Sequence, residues 1–167
     1  EKGTYNLVNN YFKHGPATTS SKLDRIVSPS KPYGKFYVDG NYVYGYKEIS
    51  KNNWKGGVQC DNPLATKLDN EINISENTKT DKTQKAYKRV LKEAGASFFR
   101  DPVDQRIIKY VKKENTMVIN GIIDSQNEVG GWPLITENKA GKDTDKDGIP
   151  DKWEQKNKLD HLKNDAN

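Results

Sequence analysis

The chain has 167 residues, enough for one domain and a tail, and its 28 basic against 23 acidic residues leave a formal charge of +5. That balance favours anionic partners such as acidic polysaccharide, nucleic acid or a membrane surface, but the lysines are scattered and form no run of five, which ranks nucleic acid last. A single cysteine, Cys60, excludes an internal disulfide, and the absence of any apolar run of ~18 residues excludes a membrane-spanning helix.

Leu, Ile, Val and Phe together make 33 of the 167 residues, close to the ~20% at which a chain struggles to build a core. Tyrosine, tryptophan and glycine nevertheless concentrate in the first 60 residues, so an ordered core with polar extensions is expected. "EKGTYNLVNNYF" enters an apolar alternation within five residues and without a starting methionine, which is expected of a chain that begins inside a larger protein.

"TYNLVNNYF" (4–12) and "KFYVDGNYVYGY" (35–46) alternate large and polar residues in the manner of strands. Each carries an asparagine inside the pattern, Asn10 and Asn41, which predicts short strands bent at those positions rather than one long strand each. The 31-residue separation of the two bends predicts successive coils of a parallel β-helix, in which equivalent positions stack from rung to rung. The loop between them, "KHGPATTSSKLDRIVSPSKPYG", holds three prolines and two glycines and is long enough to be functional. Lys13, His14, Lys22 and Arg25 are its candidate ligand contacts.

"NEINISENTKTD" alternates like an edge strand. "KTQKAYKRVLKEA" (82–94) predicts a helix with Ala86, Val90 and Ala94 as one stripe beside Tyr87 and Leu91, stopped by Gly95. Asp101-Pro102 opens a second helix, near 102–113, as N-cap and first-turn proline, with Val103, Ile107, Ile108 and Val111 expected inward. Arg100, Asp104 and Arg106 are assigned to capping and helix-face pairing. An extended segment, a Gly-Gly turn and Trp132-Pro133 as a packed anchor follow, and "TENKAGK" reads as a linker.

The linker leads into "DTDKDGIPDKWE", residues 143 to 154. With Asp143 at position 1 of a twelve-residue calcium loop, positions 3, 5, 9 and 12 are Asp145, Asp147, Asp151 and Glu154, the carbonyl of Ile149 stands at position 7, and Gly148 at position 6 makes the sharp turn. Calcium suits this set better than magnesium, which wants a smaller, more hydrated octahedron. No amphipathic helix precedes the loop and Pro150 follows the position 7 residue, so a rigid calcium staple is expected rather than a sensor that opens. The expected organisation is residues 1–136 as the ordered part and 137–167 as linker and calcium tail.

Taken in series, "NLVNNYFKHGPATTSS", "GKFYVDGN", "AYKRVLKEAGAS", "DPVDQRI", "GIIDSQNEVGGWP" and "DTDKDGIPDKWE" resemble the C-terminal part of secreted bacterial pectate lyases of polysaccharide lyase family 1, of the kind common in Bacteroidetes. The resemblance implies a mainly β fold, the terminal coils of a right-handed parallel β-helix with long loops, two covering helices and a C-terminal calcium loop. It also implies a secreted, cell-surface or periplasmic protein that binds polygalacturonate and cleaves it by β-elimination. In that family calcium bridges protein aspartates to the uronate carboxylate, acidifying the C5 proton that an arginine removes. The segments carrying those aspartates and that arginine lie upstream of "NLVNNYF", so no catalytic residue is expected in this chain, and the upstream portion of the same protein is the expected partner. The alternative from a different class is a non-catalytic, calcium-dependent carbohydrate-binding or surface-attachment module.

Overall fold

A computed structural model of the chain describes residues 2–73, 79–112, 116–118, 120–134 and 139–164. The chain divides into two compact units, residues 1–133 and 134–167.

The first unit is built on parallel pairing. Strand β1 (Thr4–Val8) lies on β3 (Lys35–Asp39), with Thr4 opposite Lys35 and Val8 opposite Asp39. The shorter β2 (Tyr11–Phe12) lies on β4 (Tyr42–Val43), with Tyr11 opposite Tyr42. Every pair is offset by 31 residues, as the bend spacing predicts. The stack extends one rung further at the same offset, through bridges between Val27 and Val58 and between Phe36 and Lys67. Nothing in the sequence pattern beyond residue 46 pointed to that rung, because it is made by single bridges and side-chain bonds instead of a strand. The strands are short and most of each coil is loop, so parallel rungs are what is observed of the expected β-helix.

Stacking explains why these residues take this form. Tyr5 stacks on Phe36 with ring centroids 4.9 Å apart, and Tyr11 lies 4.8 Å from Tyr42. Each residue thus packs on its counterpart one coil later, which is the cross-strand pairing that stabilises sheets. Inside, Ile26, Val38, Val43, Ile49 and Val58 form the buried core, flanked by Leu7, Phe12, Phe36 and Trp54.

The bends depart from expectation by one residue. The left-handed conformations belong to Asn9 (φ 56°) and Gly40 (φ 66°), not to Asn10 and Asn41. A Cβ on Gly40 would meet Asn9 Oδ1 at 2.5 Å, so glycine is needed there for space as well as for its φ. Asn10 and Asn41 instead bond the coils together. The Asn41 carboxamide oxygen accepts from the backbone N–H of Asn10 (2.9 Å) and from Asn10 Nδ2 (2.9 Å), and its nitrogen donates to the Leu7 carbonyl (2.6 Å). Asn53 continues the ladder, accepting from the Asn41 backbone N–H at 3.0 Å and donating to the Ile49 carbonyl at 2.8 Å. Asn41 and Asn53 are 1% and 3% exposed, so buried polar groups are satisfied by one another instead of by water.

Helix α1 (Lys47–Lys51) is a short turn that buries Ile49. Helix α2 (Thr83–Glu93) starts where Thr83 Oγ1 donates to the Gly40 carbonyl (2.7 Å), and Tyr87 stacks on Tyr11 at 4.1 Å. Gly95, at φ 70°, ends it as expected. Helix α3 (Pro102–Lys112) is capped by Asp101, whose carboxylate accepts from the Asp104 N–H (2.8 Å). Arg100 donates to the carbonyls of Lys92 and Ala94, closing the end of α2. The arginine and aspartate roles are therefore capping, as the sequence indicated.

Several inward assignments are corrected. Val90 on α2 and Ile107 and Val111 on α3 are exposed. An amphipathic stripe identifies the apolar face but not how much of it finds a neighbour, and here α2 touches the coils through Thr83 and Tyr87 and also buries Leu91. Trp132, expected as a packed anchor, is 78% exposed. The stretch "NEINISENTKTD" shows no strand in its described residues; the Asn6 carboxamide instead brackets Ile72, donating to its carbonyl and accepting from its N–H. Residues 74–78 lie outside the described part. "TMVINGIIDSQNEVGGWP" likewise shows no strand among its described residues, which instead include a 3-10 turn at Gln126–Val129 with a Ser125–Glu128 capping box and the Gly130-Gly131 turn. In the second unit the described residues carry helix α4 (Asp151–Asn157), short as expected.

Candidate metal centre

Residues 143 to 150 fold into a tight loop by local bonds. Asp143 accepts from the backbone N–H groups of Lys146 (2.7 Å) and Gly148 (3.0 Å), and Asp147 accepts from the Ile149 N–H (2.8 Å). Gly148 turns the chain at φ 93°, a conformation that suits glycine and matches its expected place at position 6. The result brings oxygens of Asp143, Asp145 and Asp147 within 4.8 Å of one another. The short helix α4 then supplies Glu154, which is wholly buried.

What distinguishes this cluster is the state of its oxygens. Both carboxylate oxygens of Asp145, one of Asp147 and both of Glu154 are buried without a hydrogen-bond partner. Buried polar groups are normally paired, and unpaired carboxylates are especially costly, so the cluster is one that could hold a cation. Burial, then the neighbouring charge of Asp147, raises the Asp145 carboxyl above its ordinary range. Burial followed by the charges of Asp145, Asp147 and Asp151 does the same to Glu154. The donor set is all oxygen, the preference of a hard ion such as calcium.

Asp151 behaves differently. Its Oδ1 accepts from the Thr144 N–H and its Oδ2 from the Thr144 hydroxyl, both at 2.7 Å, and Lys142 Nζ stands 3.5 Å from Oδ2. The Thr144 hydroxyl bond is the main reason its carboxyl is held below the usual range. The loop thus gathers Asp143, Asp145 and Asp147, with the oxygens of Asp143 and of Asp151 each accepting bonds from within the loop and those of Glu154 buried without a partner.

The expected contacts of the 13–34 loop are placed less favourably for a ligand. Lys13 Nζ donates to the carbonyls of Val111 (2.7 Å) and Lys112 (3.2 Å), where a cation complements the C-terminal end of α3, and it lies 5.2 Å from the Tyr44 ring centroid. His14 has a buried Nδ1 without a partner and borders a cleft of about 270 Å³ with Lys13, Pro16, Ile107, Tyr110 and Val111. Arg25 does not line that cleft; its Nε donates to Gln59 Oε1 (2.7 Å), and Gln59 in turn donates to Asp24 (2.8 Å), linking neighbouring coils. Lys22 ends a 3-10 turn at Ser20–Lys22. The remaining arginines are also engaged, Arg89 with Asp81 and Glu93 and Arg106 over the Tyr110 ring.

Comparison with known proteins places these features in context. No protein-family model matches the chain. The chain is similar to the protein named probable pectate lyase C of Aspergillus fumigatus, 31% identical over 162 residues that cover 96% of this chain and 37% of that protein. The same identity and coverage hold for probable pectate lyase C of Neosartorya fischeri, and the protein of that name from Aspergillus terreus is 29% identical over 154 residues, 87% of this chain and 34% of its own length. The chain therefore spans little more than a third of the length of these relatives. They are fungal, whereas the motif series resembles bacterial proteins; the two agree on pectate lyase.

Proposed function

We propose that the chain is the C-terminal portion of a secreted polysaccharide lyase that cleaves polygalacturonate by calcium-assisted β-elimination, its residues 1–136 forming terminal coils of a right-handed parallel β-helix and 137–167 a calcium-bound tail. The observation that carries the reading is the similarity to proteins named pectate lyase C along 96% of the chain, joined to parallel rungs at a constant 31-residue offset. Calcium bound beside the substrate would neutralise the uronate carboxylate and so ease loss of the C5 proton.

This chain's own residues serve binding and architecture in that reaction. Each of its four arginines is engaged with a carboxylate, a carboxamide, helix-end carbonyls or an aromatic ring, so the proton-abstracting group is assigned to the upstream portion of the parent. His14, at the cleft beside α3, is the contact in the loop best placed to face substrate. The tail is assigned a separate calcium, held by Asp143, Asp145, Asp147, Asp151, Glu154 and the Ile149 carbonyl, with a structural role. No helix among the described residues is long and apolar enough to cross a membrane, and the proposed location is outside the cell or in a bacterial periplasm.

The parent protein, given polygalacturonate and calcium, is expected to produce ultraviolet absorbance from unsaturated sugar ends, and this chain alone is expected to produce none. A silent parent, or an active isolated chain, would overturn the assignment. One observation favours a second reading, a calcium-dependent carbohydrate-binding module: the exposed Trp132 after the Gly130-Gly131 turn offers a stacking face for sugar. In that case the chain alone would bind immobilised polygalacturonate and Trp132→Ala would abolish the binding.

A further inference from the structure

Apart from the cleft at His14, the first unit carries another hollow, of about 340 Å³. Tyr5 and Phe36, stacked at 4.9 Å, border it from β1 and β3, and Val27, Ser28, Pro29 and Ser30 border it from the loop that leads into β3. Tyr5 is 39% exposed and both serines are exposed, so an aromatic ring and hydroxyl groups stand open together.

Among the described residues, none that lines the hollow is charged, in a chain of which 31% is. The lysines nearest in sequence, Lys31 and Lys35, are drawn to the following coil, by the Asp61 carboxylate and by the Ala65 carbonyl, each at 2.8 Å. A uronate or phosphate group seated here would give up water without gaining a cation, which is costly. A wholly apolar ligand would strip water from the serine hydroxyls without replacing it.

We propose that this hollow is a binding site for an uncharged sugar chain, separate from the His14 cleft and from any acidic substrate. Aromatic side chains offer apolar area and electron-rich faces to the C–H groups of a sugar ring, while a few fixed polar groups orient its hydroxyls. Ser28 is one such group. Its hydroxyl donates to the Gln59 carbonyl at 2.8 Å, which fixes the oxygen and leaves its lone pairs to accept from a sugar hydroxyl. The walls are set before a ligand arrives: Tyr5 and Phe36 face each other in the β1–β3 register, and Val27 bridges Val58 one coil later. A preformed site loses little conformational freedom on binding.

Titration of the isotope-labelled whole chain, followed by nuclear magnetic resonance, tests this with galactotetraose and cellotetraose as neutral probes and tetragalacturonate as the acidic one. At least one neutral probe is expected to shift the amides of residues 4–6 and 27–36, with tetragalacturonate roughly tenfold weaker there. Tyr5→Ala should weaken the neutral complex roughly tenfold, the scale of one aromatic contact and the area it buries. Because that change also removes the ring stacked on Phe36, Ser30→Leu supplies a second variant, which keeps both rings, crowds the hollow and should weaken binding to a similar degree with melting unchanged. No shift with either neutral probe, shifts confined to other parts of the chain, equal affinity for tetragalacturonate, or binding indifferent to both variants would each overturn the site. Failure of the pectate lyase reading looks different: a parent silent on polygalacturonate would leave the neutral complex intact.

Discussion

Replacing Asn41 by alanine tests the coil stack at its most connected residue. The Asn41 side chain accepts from the Asn10 backbone N–H and donates to the Leu7 carbonyl and to Asn53 Oδ1, so its truncation removes three bonds that join the coils and takes away the acceptor of the Asn10 N–H. A partly buried donor left unpaired costs about 1 kcal/mol and each of the other lost bonds about 1 kcal/mol net, so the truncation should cost about 3 kcal/mol. Against a domain stability of roughly 5–15 kcal/mol, that is a fall in Tm on the order of 10 °C. Thermal melting followed by circular dichroism, with urea denaturation at constant slope as a check, measures it. A variant melting within about 2 °C of the wild type would show that the asparagine ladder is incidental and that aromatic and aliphatic stacking alone holds the rungs together.

Other expectations follow from the same contacts. Lys13→Met should cost about 0.5–1 kcal/mol of stability, since the ammonium caps the carbonyls at the end of α3, and should leave affinity for polygalacturonate unchanged; the reverse pattern in melting and binding assays would make Lys13 a substrate contact. The tail should respond to pH in opposite senses with and without calcium. Asp145 and Glu154 have folded-state values raised by burial, so without calcium the folded tail takes up protons more readily than the unfolded chain, and its stability falls as pH rises through the carboxylate range. Asp151, held low by Thr144, works the other way, losing its contribution as acid protonates it. Trp153 fluorescence during melting should therefore report a calcium-free tail that is steadier in mild acid than at neutrality, and calcium affinity that increases toward neutral pH.

The features legible in the sequence are those in which one residue type has few other uses. The 31-residue recurrence of an asparagine within a tyrosine-rich alternation gave the parallel register, because stacked coils repeat both the bend and the aromatic that packs beside it. The bend itself fell one residue earlier, on Asn9 and Gly40, since in consecutive asparagines either can take the left-handed conformation while the other bonds the next coil. The third rung escaped notice because Val27–Val58 and Phe36–Lys67 are single bridges without alternation. Helix faces were legible as periodicity, but Val90, Ile107 and Val111 show that periodicity does not say where a short helix runs out of neighbours. Lys13 and Arg25 looked like ligand contacts because they are cations in a long loop; the backbone carbonyls and the glutamine that engage them are distant in sequence. In the metal loop, spacing identified the turn and the acidic positions, while the bonds that hold Asp151 come from a threonine at a position to which the motif assigns no role.

On the proposed reading an ion locks the tail, while stacking and asparagine bonds hold the coils. Hydrogen exchange of the whole chain, followed by mass spectrometry with calcium and after its chelation, tests that separation directly. Calcium should protect backbone amides in residues 139–164 and leave those of 4–46 unchanged. Equal loss of protection in both on chelation would make the loop part of the main fold, and an absence of any calcium effect at 139–164 would contradict the metal centre itself.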